Sequence, residues 1–370
     1  MRRYVALLVV AACLLGAVRA DAAQPGASID FTWGVSHSDI DRETALLHAA
    51  HVPWVRMTIP WDLLEPSRSG QLDPRWVSDV DYAVTRLRRA GVNVIATLAD
   101  RVPYWASADP SKRRDASGAP RYETRYRPSH FKDYASFAGW AAAHYGARGI
   151  HVYEIWNEPN LRGFWPSGPD PREYAQMLVP AAAAVHRHDP SATVLSAGLA
   201  QSDARFLRGV YAAGAGHSFD AVAAHSYPAV DPRECRLRGD GRGYRDQLCG
   251  LRDVRRVMEE NGDRAKPVWL TELGWSSAQP GEVDEAAQAR LLGTTLRLLA
   301  SEYPWVTVAS VFNLRNDYWM HDAPASIEGN FGLLRTDFTP KPAYGAVKGY
   351  AAERWLSDAW LSLTSIVGPA

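Results

Sequence analysis

Short apolar runs alternate with amphipathic helical runs eight times between residues 31 and 356. That alternation limits the fold more than any other feature. The apolar runs are rich in β-branched and aromatic residues, which favour a pleated backbone. They fall at 31–35, 54–59, 92–98, 151–158, 193–196, 221–225, 268–271 and 306–312. The expected helices fall at 41–51, 74–90, 129–145, 171–188, 203–213, 245–260, 283–301 and 343–356. In the first of these, Ala45, Leu46, Ala49 and Ala50 form an apolar side. Pro60 ends the second strand and Gly91 stops the second helix, while Ser129 suits an N-cap and Pro171 a first helical turn. Strict alternation calls for a parallel sheet covered by helices, and eight units favour closure into a single (β/α)8 TIM barrel of the α/β class. The barrel is expected over 28–356, with no second domain; residues 357–370 are apolar but interrupted and receive no structure. A chain of 370 residues, 46% of them hydrophobic, can bury a core of that size.

Two of the eight runs end in a glutamate. The fourth reads His151-Val152-Tyr153-Glu154-Ile155-Trp156-Asn157-Glu158-Pro159-Asn160. Pro159 has no N–H and cannot continue a central strand, so the run stops near Glu158. The seventh reads Lys266-Pro267-Val268-Trp269-Leu270-Thr271-Glu272-Leu273 and is broken by Gly274. Carboxyl ends of parallel strands are where ligands and chemistry collect in α/β folds. The two glutamates are too far apart in sequence for one local motif, but barrel closure would bring them onto one rim. Two facing carboxylates there are what cleavage of a glycosidic bond requires. Glu154, by contrast, is expected to be a buried structural carboxylate.

With both glutamates on strands four and seven, the chain resembles the clan A retaining glycoside hydrolases, and within them it is most similar to glycoside hydrolase family 39 and its bacterial relatives. The resemblance covers roughly 31–350, and its most specific piece is Trp156-Asn157-Glu158-Pro159-Asn160. It implies that Glu158 is the acid/base, Glu272 the nucleophile, and Asn157 the ligand of the sugar 2-hydroxyl. Val55-Arg56-Met57 resembles the strand-two arginine beside the nucleophile. Ala224-His225-Ser226-Tyr227-Pro228 resembles the strand-six histidine and tyrosine near it. Asn330-Phe331-Gly332-Leu333-Leu334 and Lys341-Pro342-Ala343-Tyr344 resemble the closing segment. Two departures bear on the substrate. The eighth strand ends in Val311-Phe312-Asn313-Leu314-Arg315, where many clan members carry a tryptophan, and the chain has no room for the β-rich additions of family 39 xylosidases and iduronidases.

A retaining mechanism sets the carboxyls about 5–5.5 Å apart. Glu272 would attack the anomeric carbon as a carboxylate, kept charged by Arg56 and the Tyr227 hydroxyl. Glu158 would protonate the leaving oxygen and then deprotonate water. Trp105, Trp165, Trp275 and Trp319 fall on strand-end loops, where an indole can stack on a sugar face. No cofactor or metal is expected: metal-dependent hydrolysis would need clustered His and Asp ligands at strand ends, and His225 stands alone there. A formal net charge of zero argues against nucleic acid as a partner. The expected partner is a carbohydrate, bound by a monomer. A carbohydrate-binding barrel without catalysis is the competing function.

The N-terminus reads as a secretory signal over 1–23. Arg2-Arg3 precede an apolar stretch, and Ala20, Ala22 and Ala23 follow it. That stretch is too short for a comfortable membrane span. Val10-Ala11-Ala12-Cys13 also resembles a lipoprotein box, giving a rival lipid anchor at Cys13. A secreted or cell-envelope location is therefore expected. The mature chain would keep Cys235 and Cys249, an even pair that suggests a disulfide in an exported protein, with two free thiols as the alternative. Such a bridge closes a loop of roughly 15 residues, worth roughly 3 kcal/mol by loop-closure entropy.

Overall fold

The computed structural model describes residues 23–31, 35–98, 101–118, 120–228, 231–234, 247–280, 282–316 and 326–367. Eight parallel strands form one sheet: β1 (Gln24–Ile29), β2 (Trp54–Ile59), β3 (Asn93–Leu98), β4 (Val152–Ile155), β5 (Thr193–Leu195), β6 (Val222–Ser226), β7 (Val268–Leu273) and β8 (Val306–Val311). Their order is β5-β4-β3-β2-β1-β8-β7-β6. Isolated parallel bridges Leu195–Ala221 and Leu199–Ala224 join the two ends. The sheet is thus a nearly closed (β/α)8 barrel. The helices between strands are α1 (His37–Ala49), α2 (Pro74–Arg89), α3 (Phe131–Gly146), α4 (Pro171–His188), α5 (Ala204–Ala212), α6 (Gln247–Glu260), α7 (Glu285–Glu302) and α8 (Pro342–Val367).

Most elements fall where the apolar periodicity puts them, and three do not. The first strand is Gln24–Ile29, not 31–35. Its small residues carry little intrinsic β preference; pairing with β2 on one side and β8 on the other makes it a strand. Gly26 is needed there, because a Cβ would lie 3.3 Å from both Ser310 and Trp54. The barrel therefore starts ahead of residue 28. The third helix starts at Phe131 with His130 as a cap that makes no side-chain bond. Ser129 instead donates its hydroxyl to the Ala106 carbonyl, 2.9 Å away, and so fixes the long loop that follows β3. The last helix runs on through the expected tail to Val367. Within the long loop, Arg113–Arg114 and Pro120–Arg121 pair as a small antiparallel hairpin.

Two layers fill the barrel. An inner apolar floor comprises Ile95, Val152, Leu195, Ala221, Ala223, Trp269 and Val308, with Trp54 packed against it. The much larger cluster lies between the sheet and the helices. Above the floor, toward the carboxyl ends of the strands, the inward positions turn polar: Arg56, Thr97, Glu154, Thr271 and Ser310 are all buried. Among the described residues no helix is long and apolar enough to cross a membrane.

Tyr350, on α8, ties the last helix to the segment ahead of β1: its hydroxyl donates to the Ala23 carbonyl at 2.8 Å in a fully buried position. Tyr350→Phe should leave that carbonyl short of a partner. The expected loss is about 1 kcal/mol, read as a lower urea midpoint with an unchanged slope.

Candidate active site

The site is built on Arg56, an inward residue of β2 and 7% exposed. Its guanidinium donates three ways: Nε to Glu154 at 2.6 Å, Nη1 to Glu272 at 2.5 Å and Nη2 to Asn157 at 2.7 Å. Glu154 is fully buried and also accepts hydroxyl protons from Thr97 and Thr271, each at 2.7 Å. It is the structural carboxylate expected from sequence. Glu272, on β7, is gripped on both oxygens. Arg56 holds Oε1, and the Tyr227 hydroxyl donates to Oε2. Burial first, and Glu272 next, hold the Tyr227 phenol well above its ordinary range. It therefore remains a donor.

Glu158 sits just past β4 on unusual backbone. Trp156 and Glu158 both have positive φ, 77° and 43°, a conformation that costs non-glycine residues of order 1–3 kcal/mol and clusters at functional sites. Hydrogen bonds hold it. The Glu158 N–H donates to the Gly198 carbonyl at 3.1 Å. The Asn160 amide bonds both ways with the Ala200 backbone, at 2.9 and 3.1 Å. The Glu158 carboxylate meets Nδ1 of His225 at 2.8 Å.

His225 is fully buried under the two glutamates, and its Nδ1 lies 3.4 Å from Glu272. Burial works to lower its pKa; Glu272 and Glu158 outweigh burial and leave it raised above 6.5. The other ring nitrogen has no hydrogen-bond partner and faces Gly198, where a Cβ would come within 2.0 Å of it. His225 thus positions Glu158 and is absent from the cavity wall, contrary to its expected place among the substrate contacts.

One oxygen of each glutamate and a nitrogen of His225 lie within 4.8 Å of one another. This is the only such triad of potential metal ligands among the described residues. Its donor atoms are committed otherwise: Arg56 and Tyr227 hold both oxygens of Glu272, and an adjacent guanidinium repels a cation. The arrangement suits two carboxylates working on one reacting centre.

A cavity of about 830 Å³ opens over these groups, walled by Arg56, Asn157, Glu158, Tyr227, Glu272 and Phe312, among others. Of the expected tryptophans, the three among the described residues, Trp105, Trp165 and Trp275, do not line it. Trp165 is fully buried and donates its N–H to Glu173. Trp275 is 6% exposed. Trp105 is half-buried, spends its N–H on the Glu65 carbonyl and packs edge-on against Trp61. Trp319 lies outside the described residues, as does Cys235; Cys249 is buried on α6. The aromatic wall comes instead from Phe312, after β8, and Phe331, both edge-on to Tyr227. Their sequence signals were indirect: Phe312 belongs to the strand-eight end where many clan members carry a tryptophan, and Phe331 to the segment that resembles the family's closing one. Phe164, Arg125, Glu43 and Arg315 also line the cavity and gave no signal.

This geometry agrees with the chain's likeness to known proteins. The family model for cellulase, glycosyl hydrolase family 5, matches residues 18–307. The chain belongs to that family. A β-xylosidase from Geobacillus stearothermophilus is 26% identical over 210 residues, 53% of this chain and 40% of that protein. The chain thus spans less than half the length of that curated relative. Among solved structures, a family 39 glycoside hydrolase from Bacteroides cellulosilyticus WH2 superposes with a TM-score of 0.69 at 23% identity, covering 90% of this chain and 64% of the other. A family 39 β-xylosidase from Caulobacter crescentus gives 0.65 at 18%, covering 89% and 71%. At those identities the structures share the fold; the family-5 member described here has the same barrel, with Glu272 on β7 and Glu158 just past β4.

Arg56→Met would leave Glu154 and Glu272 buried without their cation. Removing one partner of a buried ion pair costs about 3–5 kcal/mol. Equilibrium urea unfolding should show a loss of that size.

Proposed function

We propose that the chain is an exported retaining glycoside hydrolase, with Glu272 as nucleophile and Glu158 as acid/base. The observation that carries this reading is the convergence of the two carboxylates: one oxygen of each lies within 4.8 Å of the other and of a His225 nitrogen, so both can reach one sugar carbon, as the closely spaced carboxyl pair of a retaining enzyme must.

The residues divide the work. Arg56 and Tyr227 hold both oxygens of Glu272, so the carboxylate is oriented before substrate arrives and is ready to attack the anomeric carbon. Glu158 protonates the departing oxygen, and the bond to Glu272 forms as the glycosidic bond breaks. Once the sugar is esterified to Glu272, that carboxylate's negative charge is gone. Glu158, now ionised, takes a proton from water, which attacks the anomeric carbon and frees Glu272. His225 keeps Glu158 aimed through both steps. Arg56 fixes the Asn157 amide by its oxygen, leaving the NH2 to donate to the sugar 2-hydroxyl. Phe312 and Phe331 supply the apolar face. The relative's description as a β-xylosidase makes a β-xyloside the first substrate to try, with glucosides and arabinose-containing glycans next.

Export rests on the N-terminal pattern, and cleavage near Ala22–Ala23 would leave β1 whole. A lipid anchor at Cys13 is the rival outcome. The buried setting of Cys249 supports a disulfide to Cys235 in the exported form. Denatured, secreted protein should then show no thiol toward Ellman's reagent before reduction and two after it.

Turnover of 4-nitrophenyl β-xyloside, β-glucoside and β-mannoside by the intact chain and by variants tests the chemistry. Glu272→Ala should lose on the order of 10⁴–10⁶ in kcat. Glu158→Ala should lose about 10²–10⁴, and most on substrates with poor leaving groups. Proton NMR should show the β-anomer as the first product. An α-anomer would contradict retention, and sugar binding without turnover would favour a carbohydrate-binding barrel.

A further inference from the structure

The chemistry described above uses the β2, β4, β6 and β7 sides of the barrel mouth. On the β1 and β8 side only Phe312 takes part in it, and the polar groups there have no role. Ser28, an inward residue of β1, is 5% exposed and lines the cavity, yet its hydroxyl has no hydrogen-bond partner. Buried hydroxyls are nearly always paired, so one facing a cavity marks a bond to be made by whatever fills that cavity.

Two more groups stand on this side. Glu43, reaching in from α1 and 3% exposed, and Arg315, past β8 and 8% exposed, both line the cavity. Arg315 Nε meets a Glu43 oxygen at 2.8 Å, and its guanidinium carbon lies over the Phe338 ring, 4.2 Å from its centre. The pair is therefore fixed in place. Burial, opposed by Arg315 and reinforced by Asp39 and Asp30, pushes the Glu43 carboxyl up to about 8. Near neutrality it can both donate and accept.

We propose that Ser28 and Glu43, with Arg315 holding Glu43, form a specificity pocket that hydrogen-bonds free hydroxyls on the edge of the glycone remote from the scissile bond. The pocket takes a neutral pyranose: Arg315 is held by Glu43 and Phe338, and a sugar carboxylate would meet the Asp30 carboxylate that also lines the cavity. The set is mounted on β1, α1 and the segment after β8, beside Arg56 and Glu272 but apart from Glu158. It acts on the choice of sugar rather than on bond cleavage. This inference rests on the hydrolase reading.

The test takes the full chain and whichever of 4-nitrophenyl β-xyloside, β-glucoside or β-mannoside it turns over fastest. kcat/KM is measured for that substrate and for its 3-deoxy and 4-deoxy analogues. A site built to bond a hydroxyl rejects an analogue lacking it strongly. The intact chain should prefer the parent over at least one analogue by about 10²-fold or more. Ser28→Ala and Glu43→Gln should cut that preference to below about tenfold. Ser28→Ala also removes an unpaired buried hydroxyl, so its melting temperature should be unchanged or higher while kcat/KM on the parent falls about five- to tenfold. Glu43→Gln alters the buried contact with Arg315 and can unfold the chain; Ser28→Ala carries the test alone in that case. An active enzyme whose Ser28→Ala variant keeps the parent-to-deoxy ratio of the intact chain would overturn this proposal and leave the hydrolase reading standing. An intact chain inert on all three glycosides would overturn the hydrolase reading, and the pocket with it.

Discussion

The structure turns on a guanidinium taken out of water. Arg56 bonds groups on or beside β4 and β7 from its seat on β2. Burying a charge costs several kcal/mol per ion even after relaxation. The cost is offset only where every polar atom finds a partner. Arg56 finds three acceptors, and Glu154 finds the guanidinium and two threonine hydroxyls. The result is a polar layer that allows no single member to be changed without stranding another. It sits on the apolar floor and under the cavity, so Glu272 stands on a rigid base. A site assembled on strand ends and locked by such contacts needs little reorganisation when substrate enters.

The two glutamates are held by opposite means. Glu272 belongs to a regular strand and takes its orientation from Arg56 and Tyr227. Glu158 lies beyond its strand, on left-handed backbone, and takes its orientation from His225 and from the Gly198 and Ala200 segment after β5. A strand directs its inward side chains across the barrel and is a poor mount for a group that must face along the rim. Turning the chain abruptly at Trp156 and Glu158 aims the carboxylate across the rim. The strain of two positive φ angles is stabilised by Asn160 and by the bare α-carbon of Gly198, against which His225 packs.

What could be read in advance follows from how local each determinant is. The alternation of strands and helices is written in nearest-neighbour periodicity, and seven strands stand where it puts them. β1 escaped because Gly26, Ala27 and Ser28 are chosen for close neighbours, not for β preference. Asn157, Glu158 and Glu272 stood out because prolines and glycines mark strand ends. His225 was visible as a residue but not in its role, since depth under the cavity is a tertiary property. Glu43 and Arg315 were invisible: one sits mid-helix, the other in a loop, and neither breaks a local rule until the barrel closes around both.

The tryptophans teach the same lesson in reverse. Fourteen of them suggested a sugar-stacking cleft. The structure spends several behind the wall instead. Trp61, Tyr134, Trp156, Trp165, Tyr174 and Phe206 form an unbroken series of aromatic contacts, with ring centres 5.6–6.5 Å apart. Edge-to-face contacts of this kind add about 0.5–1.5 kcal/mol each beyond area burial. Their polar tips are placed with purpose. Tyr134 donates to the Leu98 carbonyl at the end of β3 at 2.5 Å. Tyr174 donates to the Ile155 carbonyl at the end of β4 at 3.0 Å and accepts from the Ala197 N–H at 2.7 Å. Strand ends next to a cavity lose ladder partners just where the chain must turn. These phenols supply the missing bonds from behind, leaving the inner face to Glu158. The aromatic richness therefore serves Glu158 indirectly, by fixing the turn that carries it, while Phe164, Phe312 and Phe331 face the cavity.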